Sequence, residues 1–256
     1  MDKKEEIRLD PLTDYQKSIK LALWKQIVLF FVGWVGFQIL GAIIQLIVFR
    51  VAVNNGFNGT MAEALSTPDN GMLVNALAYL ILVGALFGIC NIDTVKLAKS
   101  FAGWKPYVAA IICVLSIYTF NLIWSSIISL VNMPVSDNVN QASIESIEDV
   151  YPLTSLIIFG LIGPVCEELT YRVGLFSLCK RWTRAFAYVI TIVVFAFIHF
   201  HFSREPLPLL NEILNLPFYA FAAAAFSFVY DKFGFASSVS AHITNNLISL
   251  IISMIH

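Results

Sequence analysis

The strongest constraint on this chain is a series of apolar stretches about as long as a bilayer is thick. They run near 26–50, 72–92, 106–131, 152–178, 185–202, 207–230 and 235–255. A helix needs roughly 20 apolar residues to cross the hydrocarbon core, and in lipid each backbone N–H and C=O must find its partner within the protein. The expected fold class is therefore all-α, a polytopic transmembrane helix bundle of about seven spans. Composition agrees: 58% of residues are hydrophobic and 13% charged, where soluble domains carry roughly 25% charged residues. Residues 1–22 read as a cytoplasmic N-terminal segment and 23–256 as a single bundle. The stretch from Met1 to Lys20 mixes acids with lysines and lacks an apolar centre, so a cleaved signal peptide is not expected.

Lysine and arginine alternate between the connections. Lys25, then Lys96, Lys99 and Lys105, then Lys180, Arg181 and Arg184, then Lys232 fall on one side together with the N-terminal lysines, while Arg50 and Arg204 fall on the other. Cationic loops stay in the cytoplasm, so the N-terminus is expected there and His256 outside. The connections 51–71 and 132–151 carry Glu63, Asp69, Asp137, Glu145, Glu148 and Asp149, and suit an external surface. A net charge of −1 leaves no footprint for nucleic acid. Cys90, Cys113, Cys166 and Cys179 lack metal-knuckle or disulfide spacing and read as small buried hydrophobes. No internal repeat suggests a transporter of duplicated halves.

Ionisable groups inside apolar runs cost roughly 2.5–3.5 kcal/mol each on insertion scales, so each needs a reason. The fourth run contains Glu167-Glu168-Leu169-Thr170-Tyr171-Arg172. On a helix Glu168 and Arg172 share a face and can pair, which turns Glu167 away without that partner. A carboxylate so placed can take and return a proton. The plainer alternative is one ion network serving helix packing. The fifth run ends in Phe195-Ala196-Phe197-Ile198-His199-Phe200-His201. Residues two apart face nearly opposite ways, so at most one of His199 and His201 joins Glu167, and spacing does not choose. In the last run His242 and Asn246 are one turn apart and can donate to an oxyanion or help hold a metal; otherwise they are polar contacts between helices.

In these residues the chain resembles the CAAX protease and bacteriocin-processing family of intramembrane proteases (CPBP, also called ABI), which includes the type II CAAX prenyl endopeptidases. The family motifs EExxxR, FxxxH and HxxxN read here Glu167 to Arg172, Phe195 to His199 and His242 to Asn246, within a core of 150–255. The resemblance implies that Glu167 and His199 activate water, that His242 and Asn246 stabilise the oxyanion, and that Glu168 and Arg172 support them. It selects His199 over His201. It also implies an endopeptidase acting on membrane-associated peptide or protein substrates in a bacterial plasma membrane, with peptide processing or bacteriocin immunity as the role.

Ligand chemistry permits Zn2+ on Glu167, His199 and His242, and a metal-free route works with the same residues. The competing readings are a non-catalytic membrane scaffold for a signalling partner and an ion carrier using the same groups as a relay. One difficulty is geometric. Counted from the cytoplasmic ends, His199 lies much deeper along its helix than His242 does along its own.

Overall fold

The computed structural model describes residues 21–131, 133 and 138–255, so most of the expected cytoplasmic segment 1–22, Asp137 and His256 lie outside the described residues. Every predicted apolar run is a helix. The helices are α1 (Leu23–Asn54), α2 (Met61–Leu65), α3 (Pro68–Cys90), α4 (Asp93–Lys99), α5 (Lys105–Leu130), α6 (Val139–Glu148), α7 (Pro152–Cys179), α8 (Arg184–Ile198), α9 (Pro206–Phe233) and α10 (Phe235–Ser253). Six of them, α1, α3, α5, α7, α9 and α10, are long and apolar enough to cross a membrane. The fifth expected span is the shorter α8, 15 residues, or about 22 Å at 1.5 Å per residue. It stops at Ile198 rather than running on to 202.

Local chemistry sets the boundaries. Thr67 caps α3 by accepting from the Asn70 N–H, with Pro68 in the first turn. Thr183 does the same for α8 through the Phe186 N–H at 3.1 Å. The connection 51–71 also holds a capping box, in which Thr60 and Glu63 bond reciprocally at the start of α2. Gly234, at φ +91, turns the chain from α9 straight into α10, in the left-handed region where glycine costs least.

Helix α7 is the axis of the bundle: 56% of its apolar window is buried, against 22% for α1, α5 and α9. It also departs from α-helical geometry, with i→i+5 segments over Ile158–Ile162 and Glu168–Phe176. Helix α1 carries a third over Val32–Gly36 and crosses α7 there. The crossing is close because Gly33 and Gly174 lack side chains. A Cβ on Gly33 would overlap the Thr170 hydroxyl, and one on Gly174 would sit 3.0 Å from the Phe30 backbone nitrogen.

The cationic ends of the helices meet in space. Lys25 and Lys96 each lie 2.6 Å from Asp93. Lys180 and Arg184 both pair with buried Asp231. Arg181 donates to the Gln26 side chain at 2.7 Å. Lysine and arginine from separate connections thus share one end of the bundle, as the charge alternation predicts.

Candidate active site

The fourth, fifth and last expected spans each bring a motif to one cavity of about 250 Å3, lined among others by Glu167, Phe195, His199, His242 and Asn246. Glu167 is the last α-helical residue of its turn, and the i→i+5 segment begins at Glu168. Wide turns of this kind are frequent at functional sites because they re-aim side chains.

Glu168 and Arg172 are fully buried and pair as expected, Oε1 to Nη1 at 3.3 Å. The Arg172 guanidinium also lies 4.5 Å from the Phe195 ring and 5.5 Å from Phe226, and Nη2 donates to the Ala223 carbonyl at 3.4 Å. One cation therefore touches α7, α8 and α9 at once. Burying such a charge is tolerable because a carboxylate, a carbonyl and two aromatic faces surround it. Glu168 Oε1 serves a second partner, His242 Nδ1 at 2.9 Å.

That contact decides what His242 can do. A carboxylate accepts, so Nδ1 carries the proton, and Nε2 points toward Glu167 with Oε2 at 3.7 Å. Neutral His242 then presents a lone pair at Nε2. It becomes a donor there only as imidazolium, with the two carboxylates beside it. The ring lies flat against Phe226, 4.5 Å between centroids. His199 is fixed by the same logic: its Nδ1 donates to the Phe195 carbonyl at 2.8 Å, leaving Nε2 as the free nitrogen. The His199 ring stacks on Tyr219 at 4.5 Å with 15° between planes. Asn246 donates Nδ2 to the Phe159 carbonyl at 3.1 Å, which uses one of its two amide protons. His201, by contrast, is exposed, and its backbone N–H bonds Glu212.

The depth difficulty disappears at the ends of two helices. Helix α8 is short and His199 folds back against Phe195 one turn earlier. Helix α10 starts inside the protein: Phe235, Ala236, Ser237, Ser238 and Val239 are all buried, and Phe101 from the connection after α4 packs on Phe235. His242 and His199 line the same cavity.

Other residues at the cavity were not singled out in the sequence. The connection 132–151, expected as a loop, contains α6. Asn138 caps it by accepting from the Gln141 N–H at 2.9 Å, and Ile144 and Ile147 pack on the cluster around Met72 and Phe159. Asn138 also donates to the His199 carbonyl at 3.2 Å and accepts from the Tyr219 hydroxyl at 3.1 Å. Buried Glu212 accepts from the backbone N–H of Val139 and of His201. The polar residues that interrupt the sixth apolar run, Glu212 above all, were the available signal.

Zinc on Glu167, His199 and His242 stays an expectation from ligand chemistry. Among the described residues no three His, Cys, Asp or Glu side chains are grouped to hold a metal ion. Glu167, His199 and His242 share the cavity wall, with Glu167 Oε2 3.7 Å from His242 Nε2 and the His199 ring flat on Tyr219.

Comparisons with known proteins agree with the motif region. Residues 149–248 match the family described as type II CAAX prenyl endopeptidase Rce1-like. The chain is 26% identical over 117 residues to UPF0177 protein YvdC of Lactococcus lactis subsp. lactis (strain IL1403), a stretch covering 45% of this chain and 41% of that relative. The similarity thus spans about two fifths of the curated relative's length. No solved structure matches. The protein is an integral, multi-pass membrane protein, and its residues 149–248 are similar to the family described as type II CAAX prenyl endopeptidase Rce1-like.

Proposed function

We propose that the protein is an intramembrane endopeptidase of the CAAX type that hydrolyses peptide bonds of membrane-associated peptides or proteins. The observation that carries this reading is the meeting of Glu167, His199 and His242 at one cavity, while Arg172 neutralises Glu168. Glu167 is then left as the base. A water held between Glu167 and the free Nε2 of His199 gives its proton to Glu167 as its oxygen attacks the carbonyl carbon. The oxyanion accepts from the second Nδ2 proton of Asn246 and, when both ring nitrogens of His242 carry protons, from its Nε2–H, while Nδ1 stays on Glu168. Glu167 passes its proton to the departing amine and the C–N bond breaks. The Lactococcus relative supports a bacterial plasma membrane as the setting, where peptide processing or bacteriocin immunity are the roles this chemistry suits.

The test is cleavage of a panel of candidate peptides by the protein in liposomes, wild type against Glu167→Gln, each with and without a chelator. The expected result is a fall of about 10²–10⁴-fold in the variant, the usual worth of a positioned base. Cleavage retained by Glu167→Gln would overturn the assignment. Activity lost to the chelator and restored by zinc would overturn the metal-free route.

A further inference from the structure

The cavity has a closed end and an open end. Toward the cationic end, Glu167 and His242 are backed by Cys166, Leu169, Val173, Phe235 and Val239, each at most 4% exposed and packed with Leu21, Leu86 and Leu97. In the other direction the lining passes to Asn75 and Tyr79 of α3, to Asn245 and Asn246 of α10, and to Asn140 and Gln141 of α6. Helix α6 lies in the acidic connection opposite the cationic end, which charge placement assigns to the external face. The site therefore opens outward, past α6.

Its lining also selects chemistry. Among the described residues Glu167 supplies the carboxylate of the wall, and lysine, arginine and aspartate supply nothing. Away from Glu167, a charged substrate side chain would lose its water to walls of amides and rings that carry no opposite charge. Asn75, Asn140, Gln141 and Asn245 offer both donors and acceptors, the pairing a peptide backbone needs. Near the reacting groups the walls are the rings of Phe195, Tyr219 and Phe226. At about 250 Å3 the space falls below the roughly 300–1,000 Å3 of drug-sized ligand sites, so only a short stretch of chain enters.

We propose that the cavity takes an uncharged, extended peptide segment delivered from the external face of the membrane past α6, its backbone held by Asn75, Asn140, Gln141 and Asn245. This deepens the endopeptidase reading and rests on it for the fate of the peptide, but the route of access stands separately. Two measurements keep these apart. The first reads access without catalysis. Asn75→Cys is treated with a membrane-impermeant maleimide in right-side-out and in inverted membrane vesicles, against a parent whose described cysteines are all buried. Labelling at least tenfold faster in right-side-out vesicles is expected, and faster labelling in inverted vesicles overturns the proposal. The second adds a quenched fluorescent peptide of neutral residues, or the same peptide with Lys or Asp at its centre, to both kinds of vesicle. Right-side-out vesicles should cleave the neutral peptide at least tenfold faster than inverted ones, and the charged peptides at least tenfold more slowly than the neutral one. Equal cleavage of neutral and charged peptides refutes the substrate class. Outward labelling without any cleavage beyond that of Glu167→Gln supports the route and counts against the endopeptidase reading instead.

Discussion

Replacing Arg172 by methionine removes one cation from a place where everything around it was arranged for a cation. Glu168 would keep its charge, fully buried, with His242 Nδ1 and the Ser238 side chain as its close partners. Deleting one member of a buried pair costs about 3–5 kcal/mol, mostly because the survivor is stranded. The lost contacts with Phe195 and Phe226 add up to about 2 kcal/mol for a desolvated cation over aromatic faces. Arg172→Met should therefore lose at least about 3 kcal/mol of the unfolding free energy measured by denaturant titration in mixed micelles. The control is Glu168→Gln combined with Arg172→Met. The amide oxygen still accepts from His242 Nδ1, no charge is stranded, and stability should return to within about 1–2 kcal/mol of wild type, as exchanges of buried pairs for neutral groups often do. A single variant less than about 1 kcal/mol below wild type, or a double variant no more stable than the single, would refute the account of Glu168 as a charge held in place by Arg172.

Gly33→Ala should destabilise by about 1–3 kcal/mol because its Cβ overlaps Thr170, and adding Thr170→Ala should restore most of the loss in the same titration. Asn138→Ala removes the cap of α6 and its bond to the His199 carbonyl; a cost of about 0.5–2 kcal/mol is expected, read as faster hydrogen exchange confined to 139–148. Exchange unchanged there would show that Asn138 does not hold α6 in place. Lys25 and Lys96 hold the Asp93 carboxyl below the usual carboxylate range. Because the folded-state value is depressed, its stabilisation is fully present above the ordinary carboxylate range and is lost as pH falls through the lowered value. Asp93→Asn should accordingly weaken the fold at neutral pH and lose its effect in strong acid, and a destabilisation independent of pH would contradict the ion-pair account.

Membrane residence, the position of every apolar helix and the sorting of cationic connections to one end were legible in the chain. Each depends on local composition and on the thickness of the solvent the helix must cross. The Glu168–Arg172 pair was legible too, because residues four apart meet on a helix whatever surrounds it. Spacing left the choice between His199 and His201 open, and only the FxxxH resemblance made it, since each is plausible on its own turn. It depends on where α8 ends and on Tyr219 and Asn138, which arrive from distant parts of the chain. Nor could periodicity foresee the i→i+5 segments of α7, which go with close packing against α1 through Gly33 and Gly174.

The sequence by itself determined which residues had to be explained, because a charge in an apolar run carries a cost that no context removes. Only the tertiary structure decided which of those charges are spent on one another and which face a cavity. Arg172 and Glu168 satisfy each other within one helix, whereas Glu167, His199 and His242 meet only because α10 begins inside the protein and α8 stops short. Those distances are set by how far each helix is buried along its own axis, and that is a property of the packed bundle rather than of any one segment.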